Sequence, residues 1–176
     1  MRNNKLLFHQ VSKVKERLYS MRRTDRELKT TGEIIDVLNS GKIVQIAFLD
    51  GNEPYIVTMN YGYVLENEKI RLYFHSAHEG RKIDCIKNNP HVCFSISICD
   101  PFIAGEKACG YGMNYRSIIG YGTMRIVESD EERLSGLNVL MKQYTGKDTW
   151  QYDDEMLKKT TVSCLEVKKI SGKRKK

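Results

Sequence analysis

The stretch KIRLYFHSAHEGRKIDCIKNNP, residues 69–90, constrains the fold of this chain more than any other. Ile70, Leu72 and Phe74 alternate with Arg71, Tyr73 and His75. A period of two predicts a strand with an aliphatic face and a second face carrying Tyr73 and His75. Residues 76–80 turn the chain, and Arg81 and Lys82 open a short helix that Pro90 stops. Cations at a helix start are unfavourable by about 0.3–1 kcal/mol. Free backbone N–H groups there, beside the Ser76 hydroxyl and two cations, suit a phosphate.

The same alternation recurs along the chain. Strands are expected over residues 43–48, 54–64, 69–76, 91–100, 115–127 and 161–170. Asp50-Gly51-Asn52 reads as a hairpin turn. Thr30-x-x-Glu33 and Ser129-x-x-Glu132 are capping boxes for two helices, closed by Gly41 and Gly146. A further helical turn fits residues 153–159. Gly120 and Gly122 interrupt the fifth strand, as a bulge, a barrel bend or a close backbone approach requires. Residues 101–113 form a long loop without a clear period. Six strands with hairpin connections predict a mainly β fold, a closed or partly closed antiparallel barrel with flanking helices. No G-x-G-x-x-G, P-loop or G-x-S-x-G is present, which removes the usual supports for dinucleotide, NTPase and hydrolase chemistry.

The net charge of +7 suggests nucleic acid until it is located. Residues 1–23 and residues 168–176 carry +6 each, leaving a body of −5 between them. Two basic ends on a mildly acidic domain argue against nucleic-acid binding as the main function. Residues 1–20 read as a basic amphipathic extension, with Leu7, Val11, Val14 and Leu18 along one face, and residues 21–176 as the domain with a basic C-terminal tail. No secretory signal or membrane span is evident, so a cytoplasmic location and no membrane partner are expected. The five cysteines form no C-x-x-C pair and read as small buried thiols; no metal site is expected.

Leu72 to Phe94, LYFHSAHEGRKIDCIKNNPHVCF, resembles the flavin-binding split barrels of the pyridoxamine 5′-phosphate oxidase superfamily, most closely the nitroimidazole-resistance branch. MRRTDREL (residues 21–28), PYIVTMNYGY (54–63), NYRSIIGYG (114–122) and VSCLEVKKISGKR (162–174) are similar to the same branch in the same order. The resemblance implies a six-stranded FMN-binding split barrel that forms a homodimer with the flavin at the interface. It places the phosphate at Ser76, Arg81 and Lys82, and the flavin ring along Thr58, Met59, Asn60 and Tyr61. Tyr115, Arg116 and Ser117 approach from the dimer partner or close the site, and His75 projects toward the flavin. Gly80 allows close backbone approach.

FMN is expected ahead of FAD or haem. The activity implied is an FMN-dependent oxidoreductase, nitroreductase-like, acting on a small electron-poor acceptor such as a nitroimidazole. His75 is the candidate catalytic acid–base group. The alternative is a non-enzymatic flavin- or haem-binding or sensing protein, with His75, His78 or His91 as axial ligand.

Overall fold

The structure is a computed structural model that describes residues 22–175; the amphipathic helix expected within residues 1–20 lies outside them. A 3-10 turn at Thr24–Arg26 leads into α1 (Thr31–Ser40), β1 (Val44–Asp50), β2 (Glu53–Met59), β3 (Gly62–Glu66) and β4 (Lys69–Ser76). Then come α2 (Arg81–Asn88), β5 (His91–Ile103), a second 3-10 turn at Ala108–Gly110 and β6 (Gly112–Ile126). The chain finishes with α3 (Asp130–Thr145), α4 (Asp154–Lys158) and β7 (Thr161–Lys175). The strands lie in the sheet order β2-β1-β5-β6-β7-β4-β3. This is the mainly β split-barrel class the alternation predicts, with seven strands in place of six.

The seventh strand arises from a break. Residues 54–64, expected as one strand, are two, interrupted at Asn60 and Tyr61. β2 pairs with β1 from Val44↔Met59 to Asp50↔Glu53, and β3 pairs with β4 from Gly62↔Tyr73 to Glu66↔Lys69. β2 and β3 stand at opposite edges of the sheet, so the chain changes sides at Asn60-Tyr61. Gly62 makes the turn-in possible. A Cβ there would lie 2.3 Å from the Val139 carbonyl oxygen, because α3 packs directly on the start of β3.

The chain divides into two compact units. One comprises Lys42–Phe94 and Tyr121–Lys168. Part of its core is a cluster of Tyr73, Val127, Leu137, Leu140, Val162 and Cys164. Burying each of the two leucines contributes about 1.5–3 kcal/mol. Tyr73, expected on the open side of its strand with His75, is only 3% exposed. α3 covers it, with Gly136 so close that a Cβ would stand 2.7 Å from the tyrosine ring. The tyrosine hydroxyl donates to Glu132 at 3.1 Å, and Arg125 donates to the same carboxylate at 2.5 Å. Glu132 is therefore unavailable to close the expected capping box: Ser129 accepts from its backbone N–H, but its carboxylate turns to Tyr73 and Arg125. Gly122 is a close approach of backbones, its missing Cβ facing the Glu166 carbonyl oxygen at 2.2 Å.

The other unit comprises Ser95–Gly120 and the two ends of the chain. There the Thr30–Glu33 capping box is complete, and α1 buries Ile34, Val37 and Leu38. β7 does not stop at Ile170 but continues to Lys175. The Leu28 N–H donates to the Gly172 carbonyl at 2.9 Å, Glu27 forms a bridge with Lys173, and Arg174 pairs with Glu33. The basic residues at this end belong to an anchored strand as far as Lys175.

Two of the cysteines, Cys85 and Cys164, are buried as expected; Cys93 is half-buried, and Cys99 and Cys109 are exposed. No described helix is long and apolar enough to cross a membrane.

Candidate functional site

The interruption between β2 and β3 and the end of β4 face each other across the sheet register. Gly62 pairs with Tyr73, and two residues beyond that pair on either strand stand Asn60 and His75. Both line a cleft of about 320 Å³. α3 supplies its apolar wall through Leu137, Leu140 and Met141, and α4 closes another side with Met156 and Leu157. Tyr144, Tyr152, Asp153 and Thr160 complete the lining. A mostly apolar cleft with a few converging polar groups suits a flat, partly polar small molecule.

The polar groups are held in place. The Tyr144 hydroxyl donates to the Lys42 carbonyl at 2.6 Å. It accepts from the Tyr61 N–H at 3.1 Å and from Asn60 Nδ2 at 3.3 Å. Asp153 caps α4, accepting from the N–H groups of Glu155 and Met156. The imidazole of His75 is held below its usual range, first by desolvation and then by the Lys82 charge. It is thus largely neutral at pH 7, with one nitrogen a donor and the other an acceptor.

Next to the cleft residue His75, the chain enters the expected anion site. Ser76 ends β4, its hydroxyl donating to the Ala77 carbonyl at 2.9 Å. Gly80 precedes α2 at φ 128°, a conformation that favours glycine. No side chain caps this helix start. Arg81 behaves differently from a free anchor. Its Nε donates to Asp50 at 2.6 Å, its Nη2 stands 3.8 Å from Glu53, and its guanidinium lies 4.4 Å over the Tyr55 ring. Lys82 is half-buried. The uncapped, glycine-led turn and the Lys82 ammonium are groups of the kind that suit an anion, while Ser76 and Arg81 are engaged by the Ala77 carbonyl and by Asp50.

The remaining expected residues divide. Met59 and Tyr61 are buried, whereas Thr58 lies exposed on the edge strand β2. Tyr115, Arg116 and Ser117 are half-buried on β6, in the other unit, and do not line the cleft; Arg116 stands 3.7 Å from Asp100. His78 is committed to structure, bonding Thr161 Oγ1 through Nδ1 at 2.6 Å and the Lys158 carbonyl through Nε2. It braces the end of α4. The α3 and α4 lining had only a partial signal in the sequence. Leu137, Leu140, Met141 and Tyr144 recur at helical spacing, which marks a buried stripe without saying that a cleft lies beside it. Among the described residues no group of His, Cys, Asp or Glu is placed to hold a metal ion.

A sequence profile of the family described as pyridoxamine 5′-phosphate oxidase matches residues 30–174. No curated protein matches the chain. Among solved structures, a proposed 5-nitroimidazole antibiotic resistance protein from Bacteroides thetaiotaomicron is 28% identical, with a TM-score of 0.73 over 84% of this chain and 86% of that one. A flavocytochrome from Azotobacter vinelandii is 14% identical, with a TM-score of 0.76 over 93% of this chain and 75% of its own. A FAD- and haem-binding protein from Mycobacterium smegmatis is 16% identical, with a TM-score of 0.73 over 84% and 72% of the two chains. The last two are similar in fold.

Proposed function

The chain belongs to the pyridoxamine 5′-phosphate oxidase family, and on that premise we propose that it is an FMN-binding oxidoreductase acting on small electron-poor acceptors. The observation that carries this reading is one juxtaposition. The uncapped, glycine-led start of α2 follows directly from β4, whose His75 lines an apolar cleft together with Asn60. A phosphate-bearing ligand with a flat ring meets both features in sequence order. Ser76, the Gly80–Lys82 turn and Arg81 would hold the phosphate; Asn60, Tyr61 and the β2 end at Thr58 and Met59 would hold the ring. Tyr115, Arg116 and Ser117 of a second copy would complete the site in a homodimer.

FMN, once reduced, would supply the electrons for a nitroaromatic or similar acceptor. The protein's part is binding, orientation and proton supply. His75 is the titratable side chain that lines the cleft with both ring nitrogens free of an assigned partner among the described residues. Its N–H can hydrogen-bond to an acceptor oxygen, and its protonated form can give that oxygen a proton. Similarity to the Bacteroides protein supports nitroimidazoles as the first acceptors to test.

The direct test is to purify the protein, release its ligand and weigh it. FMN is the expected mass; FAD or haem would replace the FMN assignment. Anaerobic reduction followed by addition of a 5-nitroimidazole should then reoxidise the flavin. A flavin that stays reduced would leave a binding protein in place of an oxidoreductase.

A further inference from the structure

The protons around Tyr144 can be counted. A phenol has one hydrogen to give. Tyr144 gives it to the Lys42 carbonyl at 2.6 Å, the shortest of its three contacts. The backbone N–H of Tyr61 can only donate, and it reaches the same oxygen at 3.1 Å. The remaining partner, the Asn60 side chain, must therefore also come as a donor, and its Nδ2 lies 3.3 Å away. The hydroxyl thereby fixes which way the amide points. Nδ2 is turned to Tyr144, and Oδ1 is the atom left for a ligand. Among the described residues Asn60 Oδ1 has no protein partner.

We infer that Tyr144 is a positioning residue that sets Asn60 as a hydrogen-bond acceptor in the cleft, so that the site selects a ring carrying an N–H at that point. This rests on the flavin reading above, in which the ring N–H is the imide of the flavin's pyrimidine end. The lock spans the interruption between β2 and β3 and the last turn of α3. It is independent of the phosphate anchor and of His75. A free amide at this position would flip and accept either a donor or an acceptor edge. A locked one leaves a ligand without the N–H facing an unpartnered oxygen.

The test uses flavin-depleted full-length protein and two probes, FMN and its N3-methylated analogue, titrated by quenching of flavin fluorescence. The wild type should bind FMN at least about 10-fold more tightly than the methylated analogue, the range expected for an unpartnered polar group. Tyr144→Phe and Asn60→Ala should each reduce that preference to about 3-fold or less. Near-ultraviolet circular dichroism establishes that each variant is folded, and either variant alone is enough for the comparison. A purely structural tyrosine would weaken both probes equally and keep the preference. An unchanged preference in a folded variant, or no preference in the wild type, would overturn the inference while leaving flavin binding intact. A wild-type protein that takes up neither probe would overturn the flavin reading and this inference together.

Discussion

Arg81 donates its Nε–H to Asp50 at 2.6 Å, so a cation expected to meet an anion is already held by a carboxylate. Both side chains are substantially exposed. The pair is therefore an exchangeable one, screened by water and salt. Removing the carboxylate charge should free the guanidinium. Asp50→Asn is expected to tighten FMN binding about 2- to 5-fold at low salt, with the gain shrinking as salt is raised. Isothermal titration at two ionic strengths measures it, and weaker binding in the variant would place Asp50 on the side of the ligand.

Arg81→Ala combined with Lys82→Ala should lose at least about 10-fold in FMN affinity, because charge-assisted contacts to phosphate are among the stronger hydrogen bonds. Far-ultraviolet circular dichroism should stay unchanged, since Arg81 is exposed and Lys82 only half-buried. Equal affinity in the double variant would remove the phosphate from α2.

His75 is held below its ordinary pKa of 6.5 by desolvation and by Lys82. If its proton goes to the acceptor, reoxidation of the reduced flavin by a nitro compound should speed up as pH falls from about 7.5 to about 5.5. His75→Gln keeps a hydrogen-bonding side chain but should flatten that profile. Lys82→Gln removes the neighbouring charge and should move the midpoint upward. Parallel profiles in wild type and His75→Gln would exclude the proton role.

Gly62 leaves no space for a side chain, with the Val139 carbonyl 2.3 Å from where a Cβ would stand. Gly62→Ala should destabilise the protein by about 1–3 kcal/mol, the usual cost of forcing an atom into a packed contact. The cleft should suffer too, because α3 forms its wall. Urea unfolding and flavin uptake should fall together; a stability loss with normal uptake would separate α3 from the site.

Glu132 is held below the usual carboxylate range, chiefly by its bond from Arg125 and also by that from Tyr73. Its folded pKa is depressed, so its contribution is present above the unfolded value of 4.5 and is lost as pH falls through the lower folded value. Stability measured in urea should therefore drop between about pH 5 and pH 3, and Glu132→Gln should show a shallower drop over that window.

The strands were legible because their burial alternates. Ile70, Leu72 and Phe74 point inward as the period of two requires, and the burial of Val92, Phe94 and Ile96 repeats it. The break at Asn60-Tyr61 was not legible, because the alternation of Val57, Met59, Tyr61 and Tyr63 with Thr58, Asn60 and Gly62 continues through it and no proline marks it. Tyr73 was misplaced for a related reason. A strand pattern reports which face is apolar, but it cannot report that a helix sixty residues later covers the other face as well. The uncapped, glycine-led start of α2 was readable from local chemistry, since residues 76–82 are contiguous. The Tyr144 contact to Asn60 was not, because it joins residues 84 positions apart through a side chain that looks like one more member of a helical stripe.

The extension of β7 to Lys175 has a consequence for how this protein is made. Leu28, Glu27 and Glu33 receive their partners from Gly172, Lys173 and Arg174. The segment that leads into α1 is among the first described residues to leave the ribosome, yet its docking surface is among the last. α1 must wait for its seat until residues 172–174 have been made, and a chain cut before Gly172 would leave Leu28 and the Glu33 cap without their closing strand.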